Sequence, residues 1–130
     1  MSEVRQLRLV LTVQNFEQAL RFYSEALGLD VEAVWASESG HVTLLSAGRA
    51  TLELIDEAHA AEIDRLEVGR RIAGPVRVAF EVPDSAELAA RLEAAGATRI
   101  AGPVVTPWND RNVRLEAPDG TQLTLFTPAE

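Results

Sequence analysis

The chain contains an internal repeat, and this repeat limits the folds that it can adopt. A strand-like segment containing Arg8 is followed, seven residues after that arginine, by Asn15 and a helical pattern; a second segment containing Arg77 is followed at the same distance by Asp84 and another helical pattern. Further strand-like segments follow each helical pattern. A strand–helix–three-strand unit of this kind cannot bury both faces of its strands alone. The sequence therefore predicts two such units packed side by side, with a cup between the strands.

The boundaries of the repeat predict one domain over residues 1–130. A first module is expected at residues 7–56, a connector at residues 57–75 and a second module at residues 76–127. The length of 130 residues suits a single domain with its own core. The connector has weak periodicity and is expected to hold a short helix near residues 58–66.

Composition excludes several classes of function. The formal net charge of −8 opposes binding to nucleic acid backbones and favours accumulation of a cationic ligand. No apolar run approaches the roughly 20 residues of a membrane-spanning helix, and the N-terminus has no signal-peptide pattern. Cysteine is absent, which excludes disulfides and thiolate chemistry, and lysine is absent, which excludes a lysine Schiff base. A cytoplasmic protein without a nucleic acid or membrane partner is expected.

Several short motifs occur in a specific order along the chain. They are LTV at residues 11–13, ALRFY at 19–23, LGL at 27–29, VAFEV at 78–82, WNDRNVR at 108–114 and PDG at 118–120.

In this order and spacing the motifs resemble the vicinal oxygen chelate superfamily, which includes glyoxalases, bleomycin resistance proteins and ring-cleaving dioxygenases. The resemblance covers residues 7–127. It implies an α+β fold in which two βαβββ modules form a curled mixed sheet with a central cup and with helices on the outer face. It also implies that the cup holds a ligand and that the protein is a homodimer.

The resemblance further identifies four inward positions where metalloenzymes of the superfamily place their metal ligands. Arg8, Glu53, Arg77 and Thr124 occupy these positions here. Arginine stays protonated in proteins and does not coordinate a cation, and a threonine hydroxyl is a poor substitute for a carboxylate. A catalytic divalent site needs about three protein ligands. No metal and no cofactor are therefore expected, and metal-dependent lyase or dioxygenase activity is not predicted.

Glu53 is the sharpest catalytic candidate. It alternates with leucines in an apolar strand and should point into the cup, where it would act as a general base or pair with Arg8 or Arg77. Two arginines against one glutamate leave a surplus positive charge. That surplus favours an anionic group on the ligand, or a further acid such as Glu81.

Aromatic and histidine side chains supply the remaining candidates. Trp108 lies in a proline-containing loop and is predicted to stack on a ligand, whereas Trp35 is interpreted mainly as a rim or dimer residue. His41 begins a strand and has only a minor claim to a catalytic role, and His59 is expected to be solvated. The charged residues of the connector are interpreted as a solvated face: Glu62, Asp64, Arg65, Glu67, Arg70 and Arg71.

These observations favour a metal-free protein that binds a small organic molecule in the cup, in the manner of bleomycin resistance proteins that sequester an antibiotic. The predicted ligand-binding residues are Arg8, Glu53, Arg77, Trp108 and Thr124. One alternative is a glyoxalase-like lyase or isomerase, or a dioxygenase-related enzyme, with Glu53 as general base. Another is a non-catalytic interaction module whose cup is filled.

Overall fold

The structure is a computed structural model that describes residues 3–129. Its main elements are eight strands. The strands are β1 (Gln6–Val13), β2 (Asp30–Ser37), β3 (Gly40–Ala47), β4 (Ala50–Asp56), β5 (Val76–Glu81), β6 (Thr98–Val105), β7 (Asp110–Glu116) and β8 (Gln122–Pro128).

The strands form a mixed sheet in the order β2-β3-β4-β1-β5-β8-β7-β6. Its two halves repeat each other: β1 pairs with β4 in parallel, and β5 pairs with β8 in parallel. The halves join through the antiparallel pair β1–β5. The end strands β2 and β6 do not pair with each other, so the sheet is open. The predicted α+β fold with a curled mixed sheet is confirmed.

Two helices lie on the outer face of the sheet. Helix α1 (Phe16–Arg21) continues into a π-helical turn at Phe22–Ala26, and helix α3 (Ser85–Ala94) occupies the matching place in the second half. The side chains of Asn15 and Asp84 cap these helices by accepting hydrogen bonds from backbone N–H groups three residues later. Asn15 and Asp84, which occupy equivalent positions in the repeat, therefore both act as helix N-caps.

Alternation along the strands decides which side chains face the outer helices. Leu52 and Leu54 of β4 point outward and pack in a cluster with the apolar face of α1, which leaves Glu53 on the concave side. In the second half, Val113 and Leu115 of β7 point outward against α3. The inward residues are thus free to form the cup.

A third helix, α2 (Glu57–Glu67), lies on the concave side. Its Ala60 and Ile63 pack against the inward side chains of Val10 and Ile55. The helix in the connector was expected from the sequence, but its position inside the curl of the sheet was not. Within residues 3–129, no helix has the length and apolar character needed to cross a membrane.

Candidate functional site

The curled sheet and α2 enclose a cavity of about 770 Å³. It is an open cup, which counts against the alternative of an interaction module with a filled interior. Most of its wall is apolar, which suits the burial of an organic molecule. The apolar lining residues are Val10, Val34, Trp35, Ala36, Val42, Ile63, Leu66, Ala79, Pro107, Trp108 and Phe126.

All five residues that the sequence nominated as ligand-binding line this cavity: Arg8, Glu53, Arg77, Trp108 and Thr124. The inward faces of β1, β4, β5 and β8 are therefore those expected from the alternation. Whether these residues bind a ligand stays a prediction.

Arg8 and Glu53 form an ion pair on the cup floor, with Arg8 Nη1 3.2 Å from Glu53 Oε1. The Arg8 guanidinium also donates to Gln6 and lies 4.8 Å from the centre of the Phe126 ring. Burial raises the pKa of the Glu53 carboxyl, and the nearby Arg8 and Arg77 charges offset this only in part. Glu53 therefore keeps its proton to a higher pH than an ordinary glutamate.

Arg77 pairs with a residue of α2 and not with Glu53. Its Nη1 atom donates to Asp64 Oδ1 at 2.8 Å, and its Nη2 atom donates to the carbonyl oxygen of Ala60 at 3.1 Å. The Arg77 side chain is 5% exposed. Both terminal nitrogens are therefore already occupied by the protein.

Asp64 is the centre of a buried network. Its carboxylate accepts hydrogen bonds from the backbone N–H groups of Ile72 and Ala73 at 2.9 and 3.0 Å, and from Arg77 and Arg114 at 2.8 and 3.1 Å. Burial alone would raise the pKa of Asp64, but these hydrogen bonds and the two arginine charges outweigh it and hold the pKa below its usual value. This network joins the connector to the cup floor.

Glu67 extends the network by one helical turn. It accepts hydrogen bonds from Arg114 Nη2 and Asn112 Nδ2, each at 3.0 Å. The prediction of a solvated face is therefore wrong for Asp64 and Glu67, whose side chains are 0% and 4% exposed. The physical reason is the position of α2: the helix face that carries Asp64 and Glu67 packs into the concave side of the sheet.

Arg114 was missed as an interior residue, although it belongs to the motif at residues 108–114. Its side chain is 2% exposed. The available signal was the alternation of β7, in which apolar Val113 and Leu115 require that Arg114 face the other way. Asn112 and Asp110 follow by the same alternation, and both line the cup.

The surplus positive charge expected in the cup is not present. Helix α2 supplies Asp64 and Glu67, so that every inward arginine has an acidic partner. Glu81, which the sequence suggested as the additional acid, is not among the residues that line the cavity. The argument for an anionic ligand group therefore loses its basis.

Trp108 and His59 lie together at one side of the cup. Their ring centroids are 6.2 Å apart, and the Trp108 side chain remains 43% exposed. The expectation that His59 is solvated is wrong, because it sits in the first turn of α2 and lines the cavity. Burial lowers the pKa of His59, which keeps its imidazole neutral at pH 7.

Trp35 also lines the cup, and its side chain is 51% exposed. His41 does not take part: it pairs with Asp56 at 2.9 Å and lies outside the cavity lining. Asp56 in turn caps α2 through the backbone N–H of His59.

A metal ion does not fit the residues present. At the positions used by the metalloenzymes of the resembled superfamily, the structure places two guanidinium groups, one hydroxyl and one carboxylate, that of Glu53. Across residues 3–129, no group of three or more histidine, aspartate or glutamate side chains is arranged to hold a metal. We therefore derive no chemistry through a metal.

Comparison with solved structures shows the same fold in several proteins. Methylmalonyl-CoA epimerase from Mycobacterium tuberculosis is similar with a TM-score of 0.71 and 18% identity, over 100% of this chain and 92% of that one. The Streptomyces coelicolor methylmalonyl-CoA epimerase variant Q60A, in complex with 2-nitronate-propionyl-CoA, has a TM-score of 0.71 and 19% identity, over 99% and 100% of the two chains.

A glyoxalase/bleomycin resistance protein/dioxygenase superfamily member from Vibrio splendidus 12B01 is also similar, with a TM-score of 0.62 and 12% identity over 94% of this chain and 97% of that one. No curated protein matches the sequence. The model of the Glyoxalase/Bleomycin resistance protein/Dioxygenase superfamily matches residues 5–125. The chain therefore belongs to the glyoxalase/bleomycin resistance protein/dioxygenase superfamily.

Proposed function

We propose that the protein binds a small organic molecule in the cup without the help of a metal ion. The observation that carries this proposal is the open cavity of about 770 Å³, whose apolar walls surround a small number of polar groups. That combination is typical of ligand sites, where apolar surface supplies affinity and a few polar atoms set orientation.

The cup residues divide into two groups under this proposal. Arg8, Glu53 and Thr124 face the ligand from the floor, and Trp108 offers an aromatic surface at the side. Arg77 also lines the cup, but both of its terminal nitrogens are held by α2. Of the expected binding residues, Arg77 therefore has the least direct role.

A homodimer belongs to the same proposal. The edge strands β2 and β6 carry exposed apolar side chains, among them Val34 at 63% and Val105 at 63% exposure. Such surface favours burial against a second copy.

Drug sequestration, as in the bleomycin resistance proteins that the chain resembles, is the role we propose for binding of this kind. A chain without cysteine suits the reducing cytoplasm, where we place it.

Filling the cup tests this function directly. Ala79 lies on the floor and is 8% exposed, so Ala79→Leu should obstruct the cavity. We expect aromatic compounds that raise the melting temperature of the unmodified protein to bind the variant about tenfold or more weakly, a loss of about 1.4 kcal/mol. Calorimetric titration measures the affinity, and Ala90→Leu on the exposed face of α3 is the matched control. Equal affinity in both variants would contradict binding in the cup.

A second candidate function is proton abstraction by Glu53. The C–H bond next to a substrate carbonyl would break, the proton would pass to the Glu53 carboxylate, and the electron pair would move onto the carbonyl oxygen beside Arg8. The raised pKa of Glu53 favours this candidate, because general bases work best when their pKa approaches the working pH. The likeness to methylmalonyl-CoA epimerases gives it a first substrate to try.

Hydrogen exchange distinguishes this candidate from simple binding. If Glu53 is a base, the protein should exchange the α-proton of methylmalonyl-CoA in deuterated water, and Glu53→Gln should slow the exchange by about 100-fold or more. Proton NMR measures the rate, and Glu87→Gln on the exposed side of α3 is the control. A rate no faster than in buffer would eliminate the candidate for this substrate and leave the binding function in place.

A further inference from the structure

The carboxylate of Asp110 lacks an ion-pair partner inside the cup. Asp110 is the first residue of β7 and lines the cavity. The inward arginines form their ion pairs with other acids, and within residues 3–129 no basic side chain lies within 4.0 Å of the Asp110 oxygens. A negative charge in a partly apolar cavity is costly when no ion pair compensates it.

The electrostatic surroundings of Asp110 agree with this geometry. Burial raises the pKa of Asp110 and the charge of Glu81 adds to the rise, whereas the charge of Arg8 and a hydrogen bond from the Trp108 side chain oppose it. Arg8 gives its hydrogen bonds to Glu53 and Gln6, not to Asp110. A cation placed in the cup would therefore relieve a cost that Arg8 and Trp108 offset only in part.

Trp108 lies beside this carboxylate, so that the cup contains an acidic group and an aromatic ring next to each other. Trp108 is 43% exposed, and it lines the cavity together with Asp110, to which its side chain is hydrogen-bonded. The neighbouring His59 imidazole is neutral at pH 7, because burial lowers its pKa, so it does not repel a cation. A carboxylate next to an aromatic face is a suitable environment for an ammonium group.

We infer that the cup binds an organic amine, whose protonated nitrogen contacts the Asp110 carboxylate and lies over the face of the Trp108 indole. This inference rests on the proposed binding function and names its ligand class. The rest of the amine would occupy the apolar part of the cavity around Val10 and Phe126. The overall charge of −8 acts in the same direction, since it concentrates cations near the surface.

Three indole compounds of similar shape test the charge preference. Tryptamine carries an ammonium group, tryptophol a neutral hydroxyl and indole-3-acetate a carboxylate. We expect calorimetry at pH 7 to give an affinity for tryptamine about tenfold or more above that for tryptophol, and weaker binding of indole-3-acetate. Asp110→Asn should reduce the affinity for tryptamine to that for tryptophol. The affinity for tryptophol itself should not change, which also shows that the variant keeps its cup.

A matched control separates the site from the overall charge. Asp30 lies on the exposed strand β2, outside the cavity lining, and Asp30→Asn changes the net charge by the same amount. This variant should retain the full preference for tryptamine. If tryptophol binds as tightly as tryptamine, or if Asp110→Asn keeps the preference, the amine inference is overturned while the cup remains a binding site. If none of the three compounds binds, the amine inference fails, and the proposal that the cup binds small organic molecules loses support as well.

Discussion

Replacing Asp64 with asparagine is expected to lower the free energy of unfolding by about 3–5 kcal/mol, the cost of breaking a buried ion pair by removing one partner. The substitution keeps the shape of the side chain and removes its charge. Arg77 and Arg114 are 5% and 2% exposed, so they would remain as buried cations, each facing an amide in place of a carboxylate. The connector would lose its strongest attachment to the cup floor.

Urea denaturation at pH 7 measures this loss. Glu62→Gln is the matched control on the same helix, because Glu62 pairs only with the exposed Arg65 and such surface pairs contribute little. We expect no measurable change for the control. An Asp64→Asn variant as stable as the control would show that the buried network does not hold α2 in place.

The same network predicts a coupling between its members. Replacing Arg77 with methionine leaves the acid partly uncompensated, and the cost of Asp64→Asn should then be smaller than in the unmodified protein.

The pH dependence of the stability that Asp64 contributes has a definite sign. Because the folded pKa of Asp64 lies below its usual value of 3.8, its contribution is complete above that value and is lost as the pH falls through the folded pKa. Asp64→Asn should remove this acid-limited part of the stability curve.

The repeat predicted most of the fold, because its signals are local. Alternation in β1 and β4, and the caps at Asn15 and Asp84, depend only on neighbouring residues, and the structure places each as expected. The inward direction of Glu53 and Thr124 follows from the same alternation. Once the two halves are joined, the cup is a direct consequence of their symmetry.

Apart from Arg114, the main missed features depend on α2, which has no counterpart in the repeat. Whether Asp64 faces water or Arg77 is decided by where the connector crosses the sheet, and no local pattern encodes that path. Glu67 and His59 were misassigned for the same reason, since each lies on the helix face that enters the cup. Buried charges add a further difficulty, because a solvated helix and a helix bonded to buried arginines can have the same composition.

Replacing Arg8 with methionine is expected to destabilise the protein by an amount that grows with pH. The change keeps the apolar stem above Phe126 but removes the charge that partly offsets the burial of Glu53. The pKa of Glu53 is already raised above its usual value of 4.5, chiefly by burial, with Arg8 and Arg77 opposing the rise and Glu67 adding to it. Without Arg8 the folded pKa should rise further.

The direction of the effect follows from proton binding. Below pH 4.5 Glu53 holds its proton in both the folded and the unfolded chain, so the substitution should cost little. Above that pH the unfolded chain loses the proton first, and stability falls as the pH rises towards the folded pKa. There is a pH range in which the folded variant still holds the Glu53 proton and the folded unmodified protein has lost it. In that range the difference in the free energy of unfolding between the two should widen by about 1.4 kcal/mol per pH unit.

Urea denaturation across the range from pH 4 to pH 8 tests this expectation. The double variant Arg8→Met, Glu53→Gln is the control, because without the carboxyl the cost of losing Arg8 should not depend on pH. A cost for Arg8→Met that is the same at both ends of the range would mean that Glu53 is not desolvated by the cup. In that case Glu53 would be an ordinary surface-like acid, and its suitability as a base or as a ligand-binding group would lose its physical support.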